Sequence, residues 1–291
     1  MNGLVLLNKP KGKTSFSAAA ALRHIYKTKR VGHTGTLDPM ATGVLPVLIG
    51  RATRLSSFIL EADKRYTATV KFGITTDTLD ITGNVLKTQE CDINIDLLNS
   101  ALSKFKGVIS QVPPMFSAIK KDGVRLYELA RKGEEIERTP REVTIKELNI
   151  LYKKDKNEFV IDILCSKGTY IRSLADDLGK ELGTGAVLTD LVRTSTAGFS
   201  LEDCVSLEEL EKNPQGCLIP AEKVIPQFQS VFVSEKQKVR FLNGGELSLE
   251  RLKYTESKYP FYKIFHNEHF LGLGEIDIES NSMKVKCIIT E

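Results

Sequence analysis

The sequence predicts a mixed α/β (α+β) fold followed by a small β-rich C-terminal domain. Strand and helix signals alternate through the first 225 residues, and segments 66–72 and 159–165 place apolar side chains at every second position. That period of two is typical of half-buried antiparallel strands. From about residue 229 the sequence pattern changes to one typical of short strands and turns, which indicates a separate β-rich unit. We therefore expect one domain over 1–225 and a second over 229–291.

Apolar spacing and capping residues predict the order of the elements. A short strand at 4–7 precedes a helix that Thr14 or Ser15 caps and that runs to about Lys27. Apolar positions spaced three and four residues apart predict further helices at 95–106 and 171–182. Gly107 and Gly183 are expected to end these two helices. Two capping boxes predict helix starts, Ser206 with Glu209 and Ser234 with Gln237.

Segment 111–145 differs from its surroundings. It opens with Pro113 and Pro114, is dense in both kinds of charge and has weak amphipathicity. Long segments of this kind inside a compact domain are usually binding loops or lids. We expect an inserted loop that changes position when a ligand binds.

Composition excludes several classes of protein. The 291 residues are 41% hydrophobic and contain no apolar run of 18, which excludes a membrane-spanning helix and wholesale disorder. No secretory signal precedes the first strand, so we expect a cytoplasmic protein. The five cysteines are widely spaced without a CxxC pair, so we expect reduced thiols and no zinc site.

Charge is concentrated at the start of the chain. Residues 1–60 hold nine Lys or Arg and a single acid, Asp38, a net charge of +8, whereas the whole chain carries +4. Such a segment suits contact with a polyanion, because phosphates neutralised by cations release their condensed counterions. A solvated basic surface with no ligand is the alternative interpretation.

That single acid lies in the segment with the most unusual composition, GHTGTLDPMATG at 32–43. Its glycines and proline predict an ordered loop, and Pro39 holds Asp38 extended. An Asp-Pro turn that bonds its own backbone is the alternative interpretation. Arg172 falls in the first turn of a predicted helix, where a cation opposes the helix dipole and calls for a carboxylate partner. Asp38 is a candidate for that partner.

Other motifs in the sequence carry less information. Leu7 stands where a phosphate-binding GxxxxGK[ST] loop requires glycine. His266 and His269 lack a third metal ligand. The chain has no GxSxG elbow of a serine hydrolase, and its glycine-rich loop offers one carboxylate where a glycosidase needs two.

Five segments together resemble the bacterial TruB family, the tRNA pseudouridine-55 synthases. They are NKPKG at 8–12, GHTGTLDPMATGVLPV at 32–47, RYTATVKFG at 65–73, CSKGTYIRSLADDLG at 165–179 and LVRTSTAGF at 191–199. The similarity covers about 1–225, and GLGEID at 272–277 resembles the end of the family's C-terminal PUA-type domain. The resemblance implies the pseudouridine synthase fold, with a curved, largely antiparallel sheet and a PUA-like RNA-binding domain.

The resemblance also implies a reaction that uses neither a metal nor a cofactor. One uridine in the tRNA T-loop is flipped out, its N1–C1′ bond is broken, and a C5–C1′ bond forms. By similarity Asp38 is the catalytic nucleophile, Arg172 its ion-pair partner, and Tyr66 the ring that stacks on the flipped base and accepts a proton.

Four further residues are assigned to substrate binding by the same resemblance. Tyr170 and Leu191 line the pocket wall, His33 fills the space that the flipped nucleotide leaves, and Lys9 of the NKPKG motif contacts the substrate. The 111–145 segment matches a loop that clamps the tRNA.

The expected partner is therefore the T-arm of tRNA, and we expect a monomer with no membrane contact and no obligate protein partner. Two alternatives stay open at this point. The chain could be a tRNA-folding chaperone whose catalysis is incidental, or a related synthase that acts on another RNA or is guided by partner proteins.

Overall fold

A computed structural model of the chain describes residues 1–121 and 123–290. Asp122, inside the expected insertion, and Glu291, at the end of the expected second domain, lie outside the described residues. The strands, numbered in chain order, are β1 (Gly3–Lys9), β2 (Val31–His33), β3 (Thr42–Ile49), β4 (Lys64–Phe72), β5 (Ile74–Thr76), β6 (Val85–Thr88), β7 (Gly107–Gln111), β8 (Lys120–Lys121), β9 (Val124–Arg125), β10 (Arg141–Asp155), β11 (Glu158–Cys165), β12 (Ala186–Thr196), β13 (Phe199–Ser200), β14 (Ile219–Pro220), β15 (Gln229–Phe232), β16 (Leu247–Ser248), β17 (Phe261–His266), β18 (His269–Asp277) and β19 (Ser282–Ile288).

The helices are short and lie between the strands. They are α1 (Ser15–Ile25), α2 (Ser56–Leu60), α3 (Ile95–Ser103), α4 (Leu126–Ala130), α5 (Ile171–Glu181), α6 (Leu207–Lys212) and α7 (Glu235–Leu242), with 3₁₀ helices at Gly50–Leu55, Leu201–Asp203, Ala221–Val224 and Leu249–Arg251. Within the described residues, no helix is long and apolar enough to cross a membrane.

A large sheet organises the first part of the chain. Its strand order is β14-β1-β3-β12-β4-β11-β10-β7, with β2 beside β3 and β13 beside β12. These neighbours pair antiparallel except β3 and β12, which run parallel. The prediction of a mixed α/β fold with a largely antiparallel sheet is confirmed.

The centre of this sheet carries the alternation seen in the sequence. Tyr66, Ala68 and Phe72 of β4 are buried in the main apolar cluster, to which α3 and α5 contribute leucines from one side. Lys71, by contrast, is exposed. Apolar side chains at every second position therefore fix which face of β4 meets the helices.

Helix α5 forms as the apolar spacing predicts. Ile171, Leu174 and Leu178 are buried along one stripe, and the chain leaves the helix at Leu182 followed by Gly183, whose φ is +68°. Glycine adopts this left-handed conformation without steric cost. The stripe fixes the orientation of α5 and so places its second residue, Arg172, at one end of the sheet.

Two boundaries differ from the sequence prediction. Helix α3 ends at Ser103, three residues before the expected end, and Gly107 opens β7. The insertion spans 112–140, because 107–111 and 141–145 pair as antiparallel strands. The boundary prediction failed here because β10, which lies between β11 and the edge strand β7, carries charged side chains that hide its alternation. The insertion itself contains the β8–β9 hairpin and α4.

A second sheet, β15-β17-β18-β19-β16, follows in the last part of the chain. Its helix α7 starts at the expected capping box, with Ser234 accepting from the backbone NH of Gln237. The two sheets share an apolar cluster that includes Leu4, Phe228 and Leu273. The second sheet is therefore packed directly onto the first strand of the chain.

Candidate active site

The glycine-rich loop is anchored on both sides of Asp38. The Ser15 hydroxyl donates to the carbonyl of Leu37 at 3.0 Å and accepts from its NH at 2.8 Å. The backbone NH of Gly12 donates to the carbonyl of Pro39 at 2.8 Å. These bonds tie the loop to the start of α1 and to the end of β1, so the backbone that carries Asp38 is held in place.

Asp38 and Arg172 form a bidentate ion pair. Arg172 Nε donates to Asp38 Oδ2 at 2.8 Å and Nη2 donates to Oδ1 at 2.9 Å. The Arg172 side chain is 5% exposed, whereas that of Asp38 is 31% exposed. The guanidinium is therefore a buried support, and the carboxylate is the part of the pair that a ligand can reach.

The remaining donors of Arg172 also end on protein groups. Nη1 donates to the carbonyl of Thr78 at 3.0 Å, and Nη2 donates to the carbonyl of Phe116 at 2.7 Å. Phe116 belongs to the insertion, so that segment contacts the support of Asp38 directly. Fork-shaped hydrogen bonding of this kind fixes a guanidinium in one orientation.

Asp80 is a second acid near Arg172 that the sequence analysis missed. Its Oδ2 lies 3.9 Å from Arg172 Nη1, and its side chain is buried. Asp80 also accepts from Thr78 Oγ1 and from the backbone NH of Thr82, both at 2.9 Å. The sequence signal was an acid between two threonines in TDTLDITG, which reads equally well as a simple turn.

Tyr66 lies in the apolar cluster that also contains Leu37, Met40 and Leu191. Burial raises the pKa of Tyr66, and the positive charge of the Arg193 guanidinium opposes that rise only in part. Tyr66 is therefore a neutral phenol at neutral pH. Leu191 pairs with Ala68 across β12 and β4, so it lies on the same face of the sheet as Tyr66.

Arg193 is a buried cation that the sequence analysis also missed. It is 1% exposed, and it donates to the carbonyls of Val44 at 2.7 Å and Gly35 at 3.0 Å. Within the described part of the chain, no carboxylate lies within 4 Å of it. Gly43, at φ +102°, allows β3 to pass β12, because a Cβ there would lie 2.2 Å from the Arg193 carbonyl. Arg193 thus leaves positive charge beside the Asp38 loop and Tyr66.

Lys9 does not lie where substrate binding requires. Its side chain is fully buried, and Nζ donates to the carbonyls of Pro10, Lys13 and Pro39 at 2.9, 2.6 and 3.3 Å. Burial lowers the pKa of Lys9 to about 8. The expectation that Lys9 contacts substrate is therefore corrected, since its ammonium has no face open to a ligand and instead holds the backbone next to Asp38.

His33 and Tyr170 each lie shortly before one member of the ion pair in the sequence, His33 before Asp38 and Tyr170 before Arg172. Burial lowers the pKa of His33, and its Nδ1 is buried with no hydrogen-bond partner among the described residues. Gln111 fixes the backbone of Tyr170 through two hydrogen bonds of 2.8 and 3.0 Å. The Arg141 guanidinium lies 5.1 Å from the Tyr170 ring centroid, a cation–π distance.

The residues of this site are not arranged to bind a metal. Among the residues that the structure describes, no group of three or more His, Cys, Asp or Glu side chains could hold a metal ion. His266 lies elsewhere, where its Nε2 is 2.8 Å from Glu235 Oε2. The arrangement offers one fixed and partly exposed carboxylate, that of Asp38, while nearby Leu37 and Met40 pack in the same cluster as the Tyr66 ring. This arrangement suits nucleophilic or base chemistry on a flat ring.

Comparison with solved structures shows a fold shared with chains of two multi-component complexes. The structure of a Cbf5-Nop10-Gar1 complex matches with a TM-score of 0.74 at 24% identity, covering 99% of this chain and 85% of that one. An H/ACA RNP bound to a substrate RNA matches with a TM-score of 0.73 at 22% identity, over 99% and 85% of the two chains. At these identities the likeness shows a shared fold.

Sequence comparison then identifies the family. Residues 23–171 match the TruB family pseudouridylate synthase N-terminal domain, and 172–223 match the tRNA pseudouridylate synthase B C-terminal domain. The tRNA pseudouridine synthase B of Clostridium perfringens is 41% identical over 100% of both chains. That of Azoarcus sp. is 42% identical over 99% of this chain and 95% of the relative. The chain belongs to the TruB family.

Proposed function

We propose that this protein isomerises uridine 55 in the T-loop of tRNA to pseudouridine, with Asp38 as the nucleophile. The observation that carries the proposal is the bidentate pair of Asp38 with Arg172, on a loop whose Leu37 and Met40 pack in the same cluster as Tyr66. Family membership supports the reaction, and relatives over the full length are named tRNA pseudouridine synthases.

Arg172 holds the carboxylate of Asp38 in one orientation. An ionised carboxylate is the nucleophilic form, and a guanidinium bonded to both oxygens limits its rotation. Because Arg172 is buried and donates only to protein groups, it acts on Asp38 and does not touch the RNA itself. Arg172 is in this sense a positioning residue.

Tyr66 and Leu191 receive the uracil. A base inside stacked RNA cannot be reached, so the target nucleotide is extruded, at a cost of a few kcal/mol that stacking and hydrogen bonds in the pocket offset. The Tyr66 ring supplies a stacking face, and Leu191 supplies an apolar wall. The raised pKa of Tyr66 favours stacking by a neutral phenol over a standing phenolate base.

The reaction balances within one nucleotide. Asp38 attacks C1′ of the ribose or C6 of the base, the N1–C1′ bond breaks, and the uracil turns. C5 then bonds to C1′, the C5 proton leaves, N1 gains a proton, and Asp38 is released. No atom is gained or lost overall, so the isomerisation consumes no co-reactant.

We further propose that the flanking residues hold the RNA around the extruded base. His33, neutral because burial lowers its pKa, fills the space that the nucleotide leaves, and Tyr170 lines the pocket next to Arg172. The insertion at 112–140 clamps the T-arm. Its Phe116 carbonyl accepts from Arg172, which links the position of the clamp to the Asp38 pair.

The last sheet, within 229–291, is proposed to be a PUA-like RNA-binding domain of a monomeric cytoplasmic enzyme that needs no protein partner. This segment contains nine Lys or Arg and nine Asp or Glu. Because these charges balance, its contribution to RNA affinity would come from shape and local contacts and would vary little with salt.

The test is loss of activity on replacing Asp38. With tRNA tritiated at C5 of uridine, Asp38→Asn should release no tritium above background in single turnover, while its Kd for tRNA stays within a few fold. Asp63→Asn removes an acid from a surface pair with Lys146 and should behave as wild type. Tritium release by Asp38→Asn at more than a hundredth of the wild-type rate would remove the nucleophile assignment.

A further inference from the structure

Exposed cations lie around the two ends of α1, with Lys13 before the helix, Arg23 in its last turn, and Lys27 and Arg30 after it. Lys13, Arg23, Lys27 and Arg30 are all exposed, and together they are called the α1 basic surface. In residues 1–121 and 123–290, none of the four has a carboxylate within 4 Å. Residues 1–60, which include all four, contain no acid except Asp38.

The absence of nearby carboxylates distinguishes these four cations from several other exposed lysines. Lys104 pairs with Glu181 and Lys146 pairs with Asp63, for example. Clustered cations without acids repel one another and raise the local positive potential. Such a surface gains free energy when it meets an anion.

The α1 basic surface begins beside the catalytic loop. Ser15, the first residue of α1, is bonded to Leu37, the neighbour of Asp38. Helix α1 has 11 residues, so it leads about 16 Å away from that loop. Its far end therefore lies well away from the Asp38 site.

At that far end lies a depression of about 480 Å³. Lys27, Arg30, Arg51 and the ring of Tyr26 are among its lining residues, which include no acid. Arg51 is fixed in place, because its Nη1 donates to the carbonyl of Thr290 at 2.6 Å and its backbone NH donates to Asn2 Oδ1 at 2.7 Å. Its Nε is buried without a partner among the described residues.

We propose that the α1 basic surface and this depression bind backbone phosphates of the tRNA, outside the nucleotides that enter the Asp38 site. The inference rests on the proposed function, because a substrate RNA held at Asp38 is what brings phosphates to α1. Arg30 is suited to phosphate, since an exposed guanidinium matches two phosphate oxygens at once. Arg51, whose Nη1 is bonded to Thr290, adds positive charge to the same depression. The interaction is with the backbone and carries no sequence preference.

The experiment measures tRNA affinity of a Lys27→Gln/Arg30→Gln variant across a series of KCl concentrations. Each lost phosphate contact should reduce the slope of log K against log salt by about 0.7 to 0.9, so the double variant should lose about 1.4 to 1.8. At 0.1 M salt, Kd should rise about 10-fold. The single-turnover rate at saturating enzyme should change by less than two-fold, because the site around Asp38 is intact.

A matched control removes the same charge elsewhere. Lys87 and Lys156 are exposed, and neither has a carboxylate within 4 Å among the described residues. They lie near the Phe72 end of β4, whereas Asp38 lies near the Tyr66 end. Lys87→Gln/Lys156→Gln should leave Kd within two-fold and the salt slope within about 0.5 of the wild-type value.

Three results would overturn the inference or its basis, and they can be told apart. If the two double variants change Kd and slope equally, α1 holds no particular phosphates. If Lys27→Gln/Arg30→Gln loses binding of inorganic phosphate in calorimetry but keeps its tRNA affinity, the depression is a small-anion site. If wild-type protein binds tRNA with the expected salt slope but makes no pseudouridine, the proposed function fails and the phosphate contacts stand.

Discussion

Replacing Arg172 by lysine isolates the geometry of the Asp38 pair from its charge. Lysine keeps the positive charge but offers a single ammonium in place of a planar fork. Arg172 makes two hydrogen bonds to Asp38 and one each to the carbonyls of Thr78 and Phe116. One ammonium cannot span all four acceptors, so Asp38 keeps at most one charged donor.

The expected magnitude follows from those contacts. A hydrogen bond to a charged group contributes about 1.5 to 3 kcal/mol, so losing one of the two to Asp38 costs about that much in the positioning of the nucleophile. At 1.36 kcal/mol per factor of ten, kcat should fall about 10- to 150-fold. Carbonyls left without a donor should also lower Tm by several degrees.

Single-turnover tritium release and a binding titration make the assay. Arg172→Lys should lower the rate about 100-fold and leave Kd for tRNA within three-fold, because the guanidinium touches only protein groups. The control is Arg65→Lys, since Arg65 makes a similar bidentate pair with Asp162, at 2.8 and 2.6 Å. Equal loss of rate in both variants, or a wild-type rate in Arg172→Lys, would refute the reasoning.

Two further predictions concern groups around the pair. Tyr66→Phe keeps the ring and should cost less than 10-fold in rate, whereas Tyr66→Leu loses stacking of about 1 to 3 kcal/mol and should cost far more; equal losses would assign the role to the hydroxyl. Because the pKa of Tyr66 is raised, its ionisation should add no limb to the pH–rate profile between pH 6 and 9. For Lys9, burial lowers the folded-state pKa from 10.5 to about 8, so the unfolded chain binds more protons between these pH values. The free energy of unfolding of wild type relative to Lys9→Met should therefore rise with pH across that window, by at most about 3 kcal/mol, as urea titrations at pH 7 and 10.5 would show.

The sequence allowed prediction of those features that local patterns control. Alternation predicted β4 and β11, and the apolar stripe and Gly183 predicted α5 to within a residue. The proposed pairing of Asp38 with Arg172 drew on two local anomalies, a lone acid in a basic segment and a cation in a first helical turn. Such anomalies are visible in the sequence because each residue is energetically unfavourable in its local setting unless a distant residue pairs with it.

Features that depend on long-range packing could not be predicted in this way. Lys9 and Arg193 are charged residues on strands, and only the assembled sheet shows that backbone carbonyls surround them. The partner of Asp80, Arg172, is 92 positions away in α5. Without that partner, the threonine-rich segment around Asp80 predicts only a turn. The start of β10 was assigned to the insertion because it pairs with β7, from which the whole of 112–140 separates it in the sequence.

The central claim is that one carboxylate, held by one guanidinium, turns a single tRNA uridine into its C-glycoside. The most direct measurement incubates purified protein with an unmodified tRNA transcript and maps pseudouridine at every uridine. We expect one modification per molecule, at position 55 in the T-loop, and none when Asp38→Asn is used. Modification at a different position, or equal yield from Asp38→Asn, would contradict it.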